Sequence, residues 1–91
     1  MKTVVFKGVN IIAQDILTAM RDFDSHYADT NEYDSWLYKK NYKYAIERNG
    51  KLYPCKHILS RATGINTSEF GGGEQTNSVL RQLYFHVLEK P

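Results

Sequence analysis

Cys55 and His57 form a Cys-x-His pair, and His26 and His86 lie elsewhere in the chain. Zinc takes four ligands in recognisable pairs, and one cysteine with scattered histidines does not supply them. A cysteine nucleophile needs an adjacent base. On a helix of about 3.6 residues per turn, His57 would point roughly 200° away from Cys55 and could not serve. No Gly-x-Ser-x-Gly, Walker A or His-Glu-x-x-His pattern occurs. These residues imply no catalytic constellation, no metal centre and no cofactor. Gly71-Gly72-Gly73, leading into a helix, could cradle a phosphate with backbone N–H groups. Glu69 and Glu74 flank it, however, and no Lys or Arg lies within six residues of it. A close chain crossing, with Phe70 as a plug beside it, is the favoured reading of the glycines.

Charge is distributed unevenly. Residues 1–38 carry Lys2, Lys7 and Arg21 against Asp15, Asp22, Asp24, Asp29, Glu32 and Asp34. Residues 39–61 carry Lys39, Lys40, Lys43, Arg48, Lys51, Lys56 and Arg61 against Glu47 alone. Cations interleaved with tyrosines are what phosphate contact and base stacking require. The candidates are Lys39, Lys40 and Lys43 at a helix–strand junction, Lys51 at a hairpin, and Lys56, His57 and Arg61 on an exposed helix face. The same residues also suit an ordinary solvated face above a tyrosine-rich core.

The elements that must hold these side chains follow from periodicity and punctuation. Thr3–Phe6 has strand propensity. Asn10 can cap a helix whose stripe is Ile12, Ile16, Ala19, Met20 and Phe23. From Asp24 to Asn31 the chain reads as a polar loop. Thr30 can then cap a second helix, with Tyr33, Trp36, Leu37 and Lys40 on one face and its end at Asn41. Tyr42, Tyr44 and Ile46 alternate with polar or small residues, and Asn49-Gly50 supplies a type I′ turn. The resulting hairpin, about residues 43–53, pairs Arg48 with Lys51, Glu47 with Leu52 and Ile46 with Tyr53. Pro54 suits the first turn of a helix that buries Cys55, Ile58, Leu59 and Ala62 and stops at Gly64. Asn66–Ser68 is a turn, Gln75–Tyr84 a helix with Val79, Leu80 and Leu83 inward, and Phe85–Leu88 a closing strand. The fold class is α+β: a small antiparallel sheet with a central hairpin and a C-terminal strand, covered by three to four helices.

A length of 91 residues fits one domain, residues 1–91. With 42% hydrophobic and 24% charged residues the chain is globular in composition. A single cysteine and no long apolar run suggest a reduced, cytoplasmic protein without a membrane partner.

The run from Tyr44 to Leu59, with Tyr53-Pro54-Cys55-Lys56 at its centre, is followed by Ala62-Thr63-Gly64. Glu69-Phe70-Gly71-Gly72-Gly73 and then Asn77 to Val87 complete an ordered set. This set resembles the N-terminal head domain of HNH-type restriction endonucleases that act on modified DNA, over about residues 15 to 88. The family pattern has Tyr-Pro-x-Lys, Ala-x-Gly, Phe-Ser-Gly-Gly and Asn-x-x-Leu-x-x-Leu-Gly-Phe. Tyr53, Pro54, Phe70, Gly71 and Gly72 match or align with its structural positions. Gly71 stands where the family usually has serine, and Tyr84 where it usually has glycine. No HNH residues are present, so the resemblance implies no cleavage. It implies a non-catalytic accessory module of restriction or other defence systems, here as a stand-alone domain, with Lys56 as its matched polar candidate for DNA contact. The alternative is a small phage- or mobile-element-encoded inhibitor that binds a defence protein through the acidic first third.

Overall fold

A computed structural model describes residues 2–27, 30–38, 43–71 and 73–90. The elements run β1 (Val4–Phe6), β2 (Val9–Ile11), α1 (Ala13–Tyr27), α2 (Asn31–Tyr38), β3 (Tyr44–Arg48) and β4 (Lys51–Pro54). They continue with α3 (Cys55–Thr63), a 3₁₀ turn over Thr67–Glu69, α4 (Glu74–Gln82) and β5 (His86–Glu89). β1 and β2 form a two-stranded sheet, and a second sheet has the order β4-β3-β5, all antiparallel. The α+β class with a C-terminal strand is as the sequence implies.

The central hairpin has the register read from the sequence: Arg48 opposite Lys51, Glu47 opposite Leu52, and Ile46 opposite Tyr53. Asn49 and Gly50 take φ values of 53° and 79°, the left-handed pair a type I′ turn demands. Ile46 and Tyr53 are both buried, so alternation and turn chemistry select one register together. β5 adds on the other side of β3, with Ile46 opposite Val87. α1 and α3 pack against each other, and α4 closes the core through Val79 and Leu80.

Several expectations need correction. The N-terminus is a hairpin, not one strand: Lys7 and Gly8 turn with φ values of 49° and 82°. Three-residue strands are too short to show a period, and a lysine in a left-handed turn position carries no sequence signal. Asn10 therefore pairs with Val5, and the Asp15 carboxylate closes the start of α1 by accepting the Ile12 N–H at 2.9 Å. Ile11 takes the fully buried place assigned to Ile12. α1 also runs past Asp24 to Tyr27, because the Tyr27 ring packs on Phe23 at 5.3 Å. Pro54 ends β4 with extended angles (φ −72°, ψ 116°) rather than opening α3, which begins at Cys55. α4 is Glu74–Gln82 rather than Gln75–Tyr84. The expected helix end at Asn41 and the start of the strand alternation at Tyr42 lie outside the described residues.

Other caps are as read. The Thr30 hydroxyl accepts the Tyr33 N–H at 3.2 Å. Gly64 is left-handed (φ 79°) and donates its N–H to the Ser60 carbonyl at 2.8 Å, with Ile65 packed on the core behind it.

At Gly71 and Gly73 the chain does not make the expected close crossing, and Gly72 lies outside the described residues. A Cβ on Gly71 or Gly73 would meet nothing within 4 Å, and what Gly73 needs is its backbone angle (φ 81°, ψ −143°). Phe70 is a plug, as expected, buried with its ring edge-on to Phe6 at 5.1 Å.

Tyr84 explains a departure from the family pattern. The Phe85 N–H reaches the Leu80 carbonyl at 3.0 Å and the Tyr84 N–H reaches Arg81 at 2.9 Å, a Schellman ending of α4. That motif puts its left-handed residue at Tyr84 (φ 69°), where the family usually has glycine. The Tyr84 ring is 83% exposed, so it returns little packing energy for its strained backbone. Tyr84→Gly is expected to stabilise the fold by about 1 kcal/mol in urea unfolding. A destabilised variant would show that the ring contributes more than the backbone loses.

Candidate functional site

A cleft of about 830 Å³ lies where α1, α2, β3, α3 and α4 meet. Its apolar walls are aromatic: Phe23 and Tyr27 from the end of α1, Tyr33 and Trp36 from α2, and Tyr44 at the start of β3. Lys43 and Lys56 bring positive charge to it, and Glu32 brings one carboxylate. The first turn of α3 (Cys55, Lys56, His57) lines the cleft together with Gly73, just before α4, and Asn77 on α4. Neither α3 nor α4 has a side-chain cap at its N-terminus.

The fold separates the cations that the sequence groups together. Lys43 and Lys56 share the cleft. Lys56 is half-buried, with Nζ 5.7 Å from the centre of the Phe70 ring. Lys51 does not line the cleft. It pairs with Asp24 and sits over the rings of Tyr33 and Tyr53, at 5.5 and 5.3 Å. Arg61 lies behind the cleft wall, with its guanidinium 5.1 Å from the Tyr27 ring centre. Lys39, Lys40 and Gly72 lie outside the described residues. The acidic first third is partly engaged within the fold, since Asp15 holds α1 and Asp24 holds Lys51 and Tyr53.

His57 is not the exposed cation that its helix position suggests. Its ring lies edge-on to Phe23 at 5.4 Å and to Tyr27 at 5.0 Å. Arg61 Nε donates to His57 Nε2 at 3.2 Å, which places the ring proton on Nδ1. Burial, and then the neighbouring guanidinium, hold the imidazole pKa below its ordinary range. His57 is thus neutral at physiological pH, a polar aromatic wall rather than a phosphate-binding charge.

Tyr53, Pro54 and Gly71 of the family motif make contacts within the fold. The Tyr53 hydroxyl donates to Asp24 Oδ2 at 2.9 Å, and burial, then this bond, push its pKa up to about 12. Pro54 is buried at the β4–α3 junction and lines the cleft. The Gly71 carbonyl accepts the buried Thr76 hydroxyl at 2.8 Å. The Cys55 thiol is buried, which pushes its pKa up to about 12 and keeps it protonated at neutral pH. Among the described residues no three His, Cys, Asp or Glu side chains gather into a metal-holding group.

Two features escape the sequence reading. Asn77 is 1% exposed, and neither its Oδ1 nor its Nδ2 has a hydrogen-bond partner among the described residues. A polar residue three positions before Leu80, on an otherwise apolar stripe, was the available signal. Lys90 also ties the cleft wall to the sheet. Its Nζ donates to the Trp36 carbonyl at 2.7 Å and lies 4.5 Å from the Trp36 ring centre, and its N–H bonds the Lys43 carbonyl at 2.7 Å. That contact crosses more than fifty residues and leaves no local pattern.

No helix among the described residues is long and apolar enough to cross a membrane. No curated protein and no solved structure matches the chain. Residues 9–89 match the family described as ScoMcrA-like, N-terminal head domain, which spans the hairpin, α3, the glycine segment and β5. The chain belongs to that family, the restriction-related head domains that its Tyr-Pro-x-Lys, glycine and Leu-x-x-Leu blocks resemble.

Proposed function

We propose that this head domain is a non-catalytic nucleic-acid-binding module of a restriction or defence system. The observation that carries this reading is the cleft, whose lining combines Lys43 and Lys56 with Tyr27, Tyr33, Tyr44 and Trp36. Lysines contact backbone phosphates without regard to sequence, and aromatic faces stack on any base. Lys39 and Lys40, four and three positions before Lys43 in the sequence, are further cations assigned to this interface. Lys51 is a lesser contributor, since Asp24 already neutralises it.

The test is binding to short single-stranded and duplex DNA across a salt series. Three or four phosphate contacts give a log–log slope of roughly −3. Charge reversal at Lys39, Lys40 and Lys43 should flatten the slope, whereas reversal at Lys2 and Lys7 should not. Lys56→Ala should weaken binding more than Lys51→Ala, although each removes one positive charge. With Mg²⁺ or Mn²⁺, neither modified nor unmodified DNA should be cut. Absence of DNA affinity at low salt would sink this reading and leave a protein partner. Cleavage abolished by a single substitution would sink the non-catalytic part.

A further inference from the structure

The glycine segment lacks a cation nearby in sequence, and the fold supplies one. Gly73, at the N-terminus of α4, lines the same cleft as Lys56, in the first turn of α3. Two nine-residue helices therefore open onto one space, and neither N-terminus is capped by a side chain. Backbone N–H groups in a first turn have no partners within their helix, and the helix dipole favours an anion there. Glu74 does not oppose this. Its side chain is 82% exposed, reaches Arg81 at 3.5 Å and does not line the cleft.

Asn77 is the independent observation. It lines the cleft on α4, is almost completely buried, and both atoms of its carboxamide lack partners among the described residues. A buried amide left unpaired is costly, so such a group marks a place where something else completes the bonding. An oxyanion in this space would accept from Asn77 Nδ2, from first-turn N–H groups and from the Lys56 ammonium, while Asn77 Oδ1, an acceptor, would take a hydrogen bond from a protonated phosphate oxygen or a ligand hydroxyl. Tyr27 and Tyr33 lie along the same cleft, in a position to stack a ring attached to that oxyanion.

We infer that the meeting point of the α3 and α4 N-termini, with Lys56 and Asn77, binds the phosphoryl group of a nucleotide whose base lies on the aromatic wall. This rests on the nucleic-acid reading for the identity of the ligand but not for the existence of the site. Glu32, across the cleft, sets a limit on affinity, and Glu32→Gln is expected to tighten binding.

The experiment is an amide NMR titration of the full chain with thymidine 5′-monophosphate, thymidine and inorganic phosphate. The monophosphate is expected to shift the backbone amides of Cys55, Lys56, His57 and Gly73 and the side-chain amide of Asn77. Thymidine alone should leave those amides in place, and inorganic phosphate should shift them more weakly. Lys56→Ala should weaken binding by roughly tenfold, as for a charge-assisted hydrogen bond. Asn77→Ala should also weaken it while leaving the unfolding midpoint within a few degrees, because the carboxamide makes no hydrogen bond among the described residues. Should Asn77→Ala fail to fold, Lys56→Gln carries the comparison. Equal shifts with thymidine, or phosphate-dependent shifts confined to other residues, would overturn the site. DNA affinity unchanged in both variants would overturn the site and leave the broader reading standing. Monophosphate binding without any DNA affinity would do the reverse.

Discussion

Leu59→Ala is expected to lower the free energy of unfolding by about 2–5 kcal/mol, measured by urea denaturation. Leu59 is fully buried on α3, the helix that packs against both α1 and α4. Truncation there loses the transfer energy of three carbon atoms and leaves a cavity that three helices must collapse around. Total stabilities of about 5–15 kcal/mol are usual for domains, so the variant should unfold partly at modest denaturant concentrations. A loss below about 1 kcal/mol would remove Leu59 from the core it is described in.

The second large effect is alkaline. Burial raises the Cys55 thiol from 9.0 to about 12 in the folded chain, while the unfolded thiol ionises at its ordinary value. Below pH 9 both states hold the proton and nothing is lost. As pH climbs from 9 towards 12 the unfolded state releases its proton first, so stability falls, by roughly 4 kcal/mol in all. Tyr53 adds a loss in the same direction between about pH 10 and 12, since its hydroxyl is also pushed up to about 12. Urea unfolding at pH 8 and at pH 11 checks this. Cys55→Ala should be the flatter of the two proteins over that interval, despite a lower stability at pH 8. A wild type equally stable at both pH values would show that the thiol is not desolvated as the fold requires.

Legibility followed the range of the interactions. The β3–β4 hairpin could be read down to its register, because Asn49-Gly50 fixes the turn and Ile46 and Tyr53 must face one side. Gly64 was equally readable, since a left-handed helix end has few tenants. The β1–β2 hairpin was not, because Lys7 fills a position that usually advertises itself with Asn or Gly. At the cleft, residue types were readable and grouping was not. Lys51 and Lys56 are five positions apart, yet Asp24 draws one away and the first turn of α3 delivers the other. His57 was misplaced for a related reason. Helix phase puts it away from Cys55, but α1 and its Tyr27 ring reach round to cover it. Lys56 and Gly73 line one cleft only in three dimensions, which is why the glycines looked uncharged in sequence.

The position of β3 between β4 and β5 has a consequence during synthesis. A hairpin such as β3–β4 closes in about 1–10 μs. Ribosomes add roughly 5–20 residues per second, so the stretch from Arg48 to His86 takes about 2 to 8 s to appear. Throughout that interval the side of β3 that will receive β5 presents unpaired N–H and C=O groups, next to an apolar Ile46 with no helix α4 behind it. An open edge of this kind is a template for any neighbouring strand. Nascent chains on one polysome therefore pass through a window of seconds in which each offers its neighbour the place reserved for its own last strand.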